Sequence, residues 1–323
     1  MVRRSLRTSV IGTTVLAGVL AGCSGSGASA PGGLEKTNLV VAAAPALDSA
    51  GVYIAQERGL FAAEGLHVTI VPATSSAEAI REQVARKLDV TSGAYPSYIQ
   101  ADAQQGAKLR VLVAGSTMEP ATEQILVSRN SQIDQVSQLR GKTIGVNAND
   151  NIGTLLVESL LSENAVPLNT VKFAVIPFPD MGKALASHQI DAAWLPEPFI
   201  TENEESIGAQ PLVDADQGAA ESLPIAGYMV TQSWLDKYPH TAAAFKAALV
   251  KAQGIAAANV AAVQQAMARF AGVPKQSAAV VAAPGFPTQT TAGPLQRVIS
   301  LMVNYGLLTA GYNASLMIAK LAD

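Results

Sequence analysis

Few residues in this chain could carry out covalent or metal chemistry. Cys23 is the only cysteine, and the three histidines, His67, His188 and His240, form no cluster with metal-ligand spacing. The chain contains no His-Glu-x-x-His motif, no Gly-x-Ser-x-Gly motif and no phosphate-binding loop. Each histidine lies beside a predicted strand or helix end, where a solvated structural role is the simpler interpretation. The sequence therefore predicts no catalytic residue, no bound metal and no cofactor.

The position of Cys23 indicates a different chemistry. An arginine-rich start precedes an apolar run over residues 10–19, which is too short to span a bilayer, and Leu20-Ala21-Gly22-Cys23 follows. This segment resembles the lipobox of bacterial lipoproteins, in which the cysteine is diacylated and becomes the first residue of the mature protein. We therefore expect a lipoprotein signal peptide over residues 1–22 and a lipidated Gly/Ser-rich tether over residues 23–35. The alternative is a buried free cysteine.

These features predict an exported protein, lipid-anchored to the extracytoplasmic face of the cell membrane. The chain has 323 residues, of which 49% are apolar, so it is long enough to bury the core of one large or two ordinary domains. Its formal net charge of −3 gives no basic stripe, and nucleic acid is therefore not an expected partner. With Cys23 lipidated, no cysteine remains for a disulfide, and stability must come from the hydrophobic core.

Short β-rich runs alternate with helical stretches from residue 38 onward, a rhythm that indicates an α/β fold with parallel sheets flanked by helices. Strands are predicted at residues 39–42, 67–71, 89–90, 109–114, 124–127, 139–146, 173–176, 192–195 and 225–230. Helices are predicted at residues 52–60, 76–87, 95–104, 151–164 and 181–187. A longer helix opens at Pro239 and extends through Val263, and a last helical pair follows the loop at residues 284–287.

Three segments carry a more specific pattern. They are VYIAQERGLFAAEGLHV at residues 52–68, QLRGKTIGV at residues 138–146, and PDMGKAL followed by IDAAWLPEPF between residues 179 and 199. In this order and spacing they resemble the solute-binding proteins of ABC importers for nitrate, sulfonates, taurine and thiamine-pyrimidine precursors. The resemblance covers nearly all of the chain beyond the tether.

The resemblance implies a two-lobed, type II periplasmic-binding-protein fold, with parallel-rich sheets flanked by helices and a cleft that closes about a hinge. We expect residues 36–117 plus 228–323 to form the first lobe and residues 118–227 to form the second. The expected partners are a small-molecule solute and an ABC permease in the membrane. The chain itself is expected to be a monomer that touches the membrane through its lipid anchor.

The candidate binding residues lie in loops at the carboxyl ends of the predicted strands, because ligands of open α/β sheets bind there. These loops supply hydrogen-bonding side chains, a glycine that admits a close approach and two aromatic rings. The selected residues are Asp48, Ser49, Ser75, Ser76, Gly93, Tyr95, Thr117, Asn149, Asn151, Thr154, Trp194 and Glu197.

Several of these residues have a second interpretation. Ser76 could serve only as a helix cap, and Trp194 could be a buried strand residue that packs against a helix. Glu197, if it faces the cleft, favours an amine-bearing solute such as taurine or an aminopyrimidine over bare nitrate, whereas Asp180 is better explained as a surface or capping carboxylate. None of the candidate loops contains arginine, the usual bidentate partner of a simple anion.

The predicted function is that of a non-enzymatic solute-binding component of an ABC importer, with a solute of the sulfonate, taurine or nitrate type. One alternative is a binding protein for a thiamine-pyrimidine precursor. A second is a pyrimidine-synthase-like enzyme, which depends on a cysteine-rich motif that this chain lacks. A third is a lipoprotein of the same fold that acts as a sensor or adhesin.

Overall fold

The computed structural model describes residues 33–44, 46–73, 75–270 and 274–321. The predicted signal peptide, the predicted lipidation site at Cys23 and most of the predicted tether lie outside the described residues. Within the described ranges, no helix combines the length and the apolar character that a membrane span requires.

The strands of the described chain form two separate five-stranded sheets. In chain order they are β1 (Asn38–Ala43), β2 (His67–Pro72), β3 (Val90–Ala94), β4 (Leu109–Thr117), β5 (Glu123–Val127), β6 (Thr143–Val146), β7 (Lys172–Val175), β8 (Ala192–Pro196), β9 (Gln210–Asp214) and β10 (Pro224–Thr231). The first sheet has the order β2-β1-β3-β10-β4 and the second has the order β7-β6-β8-β5-β9. We call the described residues up to 117 and from 224 onward the first lobe, and residues 118–223 the second lobe.

The chain crosses between the two sheets twice, and these crossings explain the strand directions. β1 runs parallel to β2 and β3, and β6 runs parallel to β7 and β8, as the alternating pattern predicts. β5 and β10 are the first strands after each crossing, and both run antiparallel to their neighbours because they start at the edge where the other strands end. The sheets are therefore mixed. β10 joins the first sheet at Pro224, four residues before the predicted lobe boundary at residue 228.

Helices cover both sheets. They are α1 (Ala50–Glu57), α2 (Leu60–Ala63), α3 (Ser76–Val84), α4 (Tyr95–Gln105), α5 (Ile152–Glu163), α6 (Phe178–Ala186), α7 (Phe199–Ile207), α8 (Gln232–Lys237), α9 (Pro239–Ala258), α10 (Val260–Phe270), α11 (Lys275–Ala278) and α12 (Ala292–Asn304). The single long helix predicted from Pro239 through Val263 is wrong, because the chain leaves the helical conformation at Asn259, which has φ −149° and ψ 90°. α7 and β9 are not predicted from the sequence, and the predicted last helical pair is α12 with a 3₁₀ turn at Ala314–Leu316.

The hydrophobic core is continuous across the two lobes. One cluster of buried side chains includes Tyr95 and Met229 of the first lobe together with Leu155 and Trp194 of the second lobe. A further cluster belongs to the first lobe alone and another to the second lobe alone. The lobes are therefore packed against each other, and burial of apolar surface holds them in contact.

The first described residues are attached to the start of α9. The Glu35 carboxylate accepts hydrogen bonds from the backbone N–H groups of His240 (3.1 Å) and Thr241 (3.0 Å) and lies 2.6 Å from His240 Nδ1. α9 begins at Pro239 and has no side-chain cap of its own, so Glu35 satisfies its first N–H groups from a distant part of the sequence. Lys36 Nζ adds an ion pair of 2.5 Å with Asp89 Oδ1.

We predict that Glu35→Gln lowers the free energy of unfolding at pH 7 by about 1 kcal/mol, the usual cost of a lost helix cap. Burial raises the pKa of Glu35, but the hydrogen bonds from Thr241 and His240 outweigh it and lower the pKa from 4.5 to about 2. A lowered folded-state pKa gives stability that is complete above pH 4.5 and is lost as the pH falls toward 2. Chemical denaturation across that range should show the difference between wild type and variant shrinking.

Glu82→Gln is the matched control, because Glu82 is exposed and makes a single 3.4 Å contact with Lys87. Its effect should be close to zero at every pH. A difference between wild type and Glu35→Gln that stays constant from pH 7 to pH 3 would contradict the assigned role of the Glu35 charge.

Candidate functional site

The candidate site is the cleft where the carboxyl ends of β1, β3 and β4 face the carboxyl ends of β6, β8 and β9. Contacts between the lobes surround this edge. Gln100 Nε2 of α4 donates to the carbonyl of Asp150 at 2.9 Å, and Ser277 Oγ of α11 donates to Glu205 Oε2 of α7 at 2.7 Å. The backbone of Ala282 in the first lobe also hydrogen-bonds with the Glu197 carboxylate. The two lobes are thus closed upon each other in this structure.

Predicted residues on the 3₁₀ turn after β1 form one wall of the cleft in the first lobe. The Ser116 hydroxyl donates to Asp48 Oδ1 at 2.6 Å, and the Ser49 and Ser92 hydroxyls lie 3.1 Å apart. Burial raises the pKa of Asp48, and the Ser116 hydrogen bond partly opposes that change. These contacts fix the side chains of Asp48 and Ser49 against β3 and β4. Ser92 and Ser116 themselves belong to predicted loops but were not selected from the sequence.

The two serines at the start of α3 have separate roles. Ser75 is the N-cap of α3, because its hydroxyl accepts a hydrogen bond from the Glu78 N–H at 3.2 Å. The cap interpretation of Ser76 is therefore wrong: its hydroxyl instead accepts from the Ala94 N–H at 3.3 Å. Gly93 is the reason for this close approach, since a Cβ there would lie 2.8 Å from Ser76 Oγ. The missing side chain of Gly93 serves packing within the first lobe.

Tyr95 and Thr117 face a cavity inside the first lobe. Tyr95 is buried, its phenol hydrogen-bonds with the Gly115 backbone, and burial raises the pKa of that phenol. Thr117 pairs through its backbone with Gly285. Both residues line a small cavity of about 50 Å³, and all of its lining residues belong to the first lobe.

Trp194 lies in the interior of the second lobe. It is 1% exposed, and a Cβ at Gly153 would approach its ring to 2.3 Å, so the first turn of α5 lies directly against the indole. Its ring centroid is 5.7 Å from that of Phe178. Of the two interpretations of Trp194, a buried strand residue packed against a helix matches the geometry. The indole Nε1 nevertheless has no hydrogen-bond partner among the described residues.

The asparagines before α5 differ in their surroundings. Asn149 is exposed, whereas Asn151 is 2% exposed and caps the helix start. The Asn151 N–H donates to Thr154 Oγ1 at 2.9 Å, and the Thr154 hydroxyl donates to the Asn151 carbonyl at 2.8 Å. The side-chain oxygens of Asn151 and of Asn147, which was not selected from the sequence, are both buried without a hydrogen-bond partner in the described chain.

Three carboxylates meet at the cleft edge of the second sheet. Glu197 follows β8, Glu123 begins β5 and Asp214 ends β9. Two backbone hydrogen bonds hold these strand ends together. The Glu197 N–H donates to the Thr122 carbonyl at 3.1 Å, and the Ala215 N–H donates to the Glu123 carbonyl at 2.8 Å. Burial raises the pKa of Glu197, and hydrogen bonds from Thr201 and Ala282 partly oppose it. Glu197 is the one member of this group that the sequence predicts as a binding residue.

Glu123 has the most unusual surroundings of the group. It is 2% exposed, and its Oε2 atom has no hydrogen-bond partner among the described residues. Burial, followed by the charges of Asp48, Glu197 and Asp214, raises the pKa of Glu123 well above its usual range. A carboxylate directly before the apolar run of β5 was the only sequence signal for this residue, and it resembles an ordinary strand end.

The remaining polar candidates do not extend the site toward metals or anions. Asp180 is exposed in the first turn of α6, which agrees with its surface interpretation. In the part of the chain that the structure describes, no three His, Cys, Asp or Glu side chains are placed to hold a metal ion. The residues of the cleft edge named above include carboxylates, hydroxyls and amides but no lysine or arginine. The carboxylates among them accept hydrogen bonds, and the hydroxyls and amides can both accept and donate them.

Comparisons with known proteins give the same overall architecture. No curated protein sequence matches the chain. The ligand-binding component of an ABC-type import system from Staphylococcus aureus superposes with a TM-score of 0.76 at 15% identity, covering 88% of this chain and 97% of that one. The aliphatic sulphonate binding protein SsuA from Escherichia coli gives 0.71 at 17% identity, with 89% and 93% coverage. The desulfurization enzyme DSZB gives 0.68 at 16% identity, with 88% and 96% coverage, so this fold also occurs in an enzyme.

A family model described as NMT1/THI5 like matches residues 46–262, which is more than half of the chain. The matched region includes the Asp48 turn, all of the second lobe and both crossings between the sheets. The fold expected from the sequence motifs is confirmed by the structural neighbours. This chain belongs to the NMT1/THI5-like family and has the periplasmic-binding-protein fold.

Proposed function

We propose that the protein is the solute-binding component of an ABC importer and that it captures a small organic solute in the cleft between its lobes. The observation that carries this proposal is that two buried polar atoms, Glu123 Oε2 and Trp194 Nε1, have no hydrogen-bond partner among the described residues. Buried polar groups normally have hydrogen-bond partners, and a bound solute would supply them. The candidate solutes are sulfonates, taurine, nitrate and thiamine-pyrimidine precursors.

The proposed mechanism is closure of the two lobes over the solute. The two crossings between the sheets form a double connection, and the contacts of Gln100, Ser277 and Ala282 across the cleft exist only when the lobes are together. Closure converts occupancy of the cleft into a shape that a permease can recognise. Lipidation of Cys23 and the tether that follows would hold the protein at the extracytoplasmic face of the membrane, beside such a permease.

Binding without catalysis is supported by the positions of the histidines. His67 begins β2 at the end of the sheet away from the cleft, His188 follows α6, and His240 contacts Glu35 at the start of α9. None of the three histidines is therefore placed at the cleft edge as a general base. If the tests below contradict solute binding for transport, the alternatives are a pyrimidine-synthase-like enzyme and a sensor that takes no part in transport.

We predict that a cognate solute at a hundred times its dissociation constant stabilises the protein by about 2.7 kcal/mol, which raises the melting temperature by several degrees. A thermal-shift screen with taurine, alkanesulfonates, nitrate and aminopyrimidines measures this shift, and NMR of the recovered solute should show it chemically unchanged. Conversion of a bound compound into a product would contradict the proposal in favour of an enzyme. A screen in which no compound shifts the melting temperature would count against transport and favour the sensor role.

The two tryptophans allow a matched test of the site. Trp234 Nε1 donates to Asp89 at 2.8 Å within the first lobe, whereas Trp194 Nε1 has no partner in the described chain. We predict that Trp194→Phe weakens binding of the solute found in the screen at least about fivefold, the equivalent of a lost hydrogen bond worth about 1 kcal/mol. Isothermal titration calorimetry measures this change.

Trp234→Phe is the control, and it should leave the dissociation constant unchanged. Both substitutions remove similar ring volume from a buried position, but only Trp234→Phe breaks a hydrogen bond inside the protein. Its melting temperature should therefore fall further than that of Trp194→Phe. Equal affinity in wild type and Trp194→Phe would remove the Trp194 indole from the site.

A further inference from the structure

The chemical nature of the unpartnered atoms limits what the solute can be. On the second lobe, Glu123 Oε2, Asn147 Oδ1 and Asn151 Oδ1 are buried acceptors, and Trp194 Nε1 is a buried donor, all without partners in the described chain. An asparagine amide can present either its oxygen or its NH₂ group by rotating about one bond. The fixed elements of the pattern are therefore the Glu123 acceptor and the Trp194 donor.

Glu123 and Trp194 project from the same face of the second sheet. In the antiparallel pair of β5 and β8, Glu123 is opposite Pro196 and Ile125 is opposite Trp194. Residues two apart on a strand share a face, so Glu123 and Trp194 are diagonal neighbours across the pair. α5 covers this face and contacts Trp194 at Gly153, which places the buried N-cap Asn151 beside them. The side chains of Glu123 and Trp194 thus lie on one face of the second sheet, with the start of α5 packed against that face.

Charge gives a second, independent constraint. The charges of Asp48, Glu197 and Asp214 act on Glu123. Each of these three carboxylates accepts a hydrogen bond from the protein, at 2.6 to 2.8 Å. The donors are the Ser116 hydroxyl for Asp48, the Thr201 hydroxyl for Glu197 and the Ala121 N–H for Asp214. Among these four, Glu123 has a buried oxygen, Oε2, without a hydrogen-bond partner in the described chain. These four carboxylates are not placed to share a metal ion. A buried carboxylate without a donor is costly and is best compensated by a charged or polarised N–H group.

We infer that the cleft takes a solute that presents a nitrogen-borne hydrogen-bond donor, either a protonated amine or an amino group on a heterocycle, to Glu123. This inference rests on the proposed function and specifies its substrate class. The Trp194 indole would donate to an acceptor on the same solute. A simple oxyanion such as nitrate fits poorly, because it would face four carboxylates and a single indole N–H.

The pH dependence of the binding affinity distinguishes a cationic solute from an anionic one, because the two affinities change in opposite directions with pH. The groups that face Glu123 are the carboxylates of Asp48, Glu197 and Asp214, and they favour its protonated form together with burial. A cationic solute requires the ionised carboxylate, so its binding releases a proton and its affinity rises with pH. An anion favours the protonated carboxyl group, so its affinity falls as the pH rises.

The test uses isosteric probe pairs that differ in a single nitrogen. Taurine is compared with 1-propanesulfonate, in which a methyl group replaces the ammonium group, and 4-aminopyrimidine is compared with 4-methylpyrimidine. Calorimetric titration of the purified protein at pH 6 and pH 8 should show at least tenfold tighter binding for the nitrogen-bearing member of at least one pair. Taurine should bind more tightly at pH 8 than at pH 6. The Glu123→Gln substitution should remove most of the tenfold preference for the nitrogen-bearing member.

Glu123→Gln also gives a readout that needs no ligand. If Glu123 has no donor within the protein, replacing its carboxylate by a neutral amide should raise the melting temperature by about 2 °C or more at pH 8, and by less at pH 5. Glu82→Gln, at an exposed position, should change neither value. A higher melting temperature supports the premise of the inference, that Glu123 receives no donor within the protein, whereas the probe pairs test the solute class.

Two results would overturn the inference. Equal or tighter binding of 1-propanesulfonate or nitrate, with affinity that falls as the pH rises, would contradict it and leave the proposed solute-binding function intact. A melting temperature of Glu123→Gln at or below that of wild type at pH 8 would show that the carboxylate is satisfied within the protein. The proposed function itself would be contradicted by different results: no compound in the solute screen binds, or a bound compound is converted into a product.

Discussion

The insertion of β10 between β3 and β4 is the constraint on which the rest of the architecture depends. The chain leaves the first sheet at the end of β4 and returns beside it, so the two crossings lie next to each other and are joined by the hydrogen bond from the Met118 N–H to the Leu223 carbonyl at 2.9 Å. A Cβ at Gly115 would lie 2.7 Å from the Ala226 carbonyl, which shows how closely β4 and β10 approach. This double connection orients the second sheet so that its strand ends face those of the first.

The same topology collects carboxylates at one edge. β5 must start where β8 and β9 end, because it enters the second sheet from the crossing side. A polar residue at the start of β5 is thereby placed beside the residues that follow β8 and end β9, and Glu123, Glu197 and Asp214 occupy these positions. Asp48 reaches them from the turn after β1 when the lobes are together. Residues far apart in the sequence thus share one local environment only through the fold.

The sequence predicts the fold better than it predicts the site, and the reason is physical. Strands and helices follow from apolar periodicity within short windows, so β1, β2, β5 and α5 are predicted nearly at their observed bounds. The antiparallel direction of β10 and the break at Asn259 depend on packing between distant elements, and no local pattern encodes them. The predicted loops at strand ends place Asp48 and Glu197 at the edge where the two sheets face each other, and their role in binding stays a prediction.

At that edge, the local sequence does not distinguish polar residues that make hydrogen bonds within the protein from polar residues whose buried atoms have no hydrogen-bond partner. Ser75, Ser76 and Thr154 are used by the protein itself, as a cap, a strand-end contact and a helix-start contact. Glu123 and Asn147 were missed because strand ends and loops commonly carry polar residues in solvent. Their distinguishing property is a buried side-chain oxygen without a hydrogen-bond partner among the described residues, which no local pattern encodes.

This property links recognition to closure under the proposed function. Closing the lobes without a solute would leave Glu123 buried without a donor, at a cost of about 1–3 kcal/mol. A solute that supplies the donor removes that cost only in the closed form, so it binds the closed form more tightly than the open one. A difference of about 1–3 kcal/mol changes the ratio of closed to open protein by roughly 5- to 150-fold. The unpaired carboxylate would thereby make the shape of the protein depend on occupancy, whereas a cleft whose polar groups were all satisfied internally could close equally well with or without a solute.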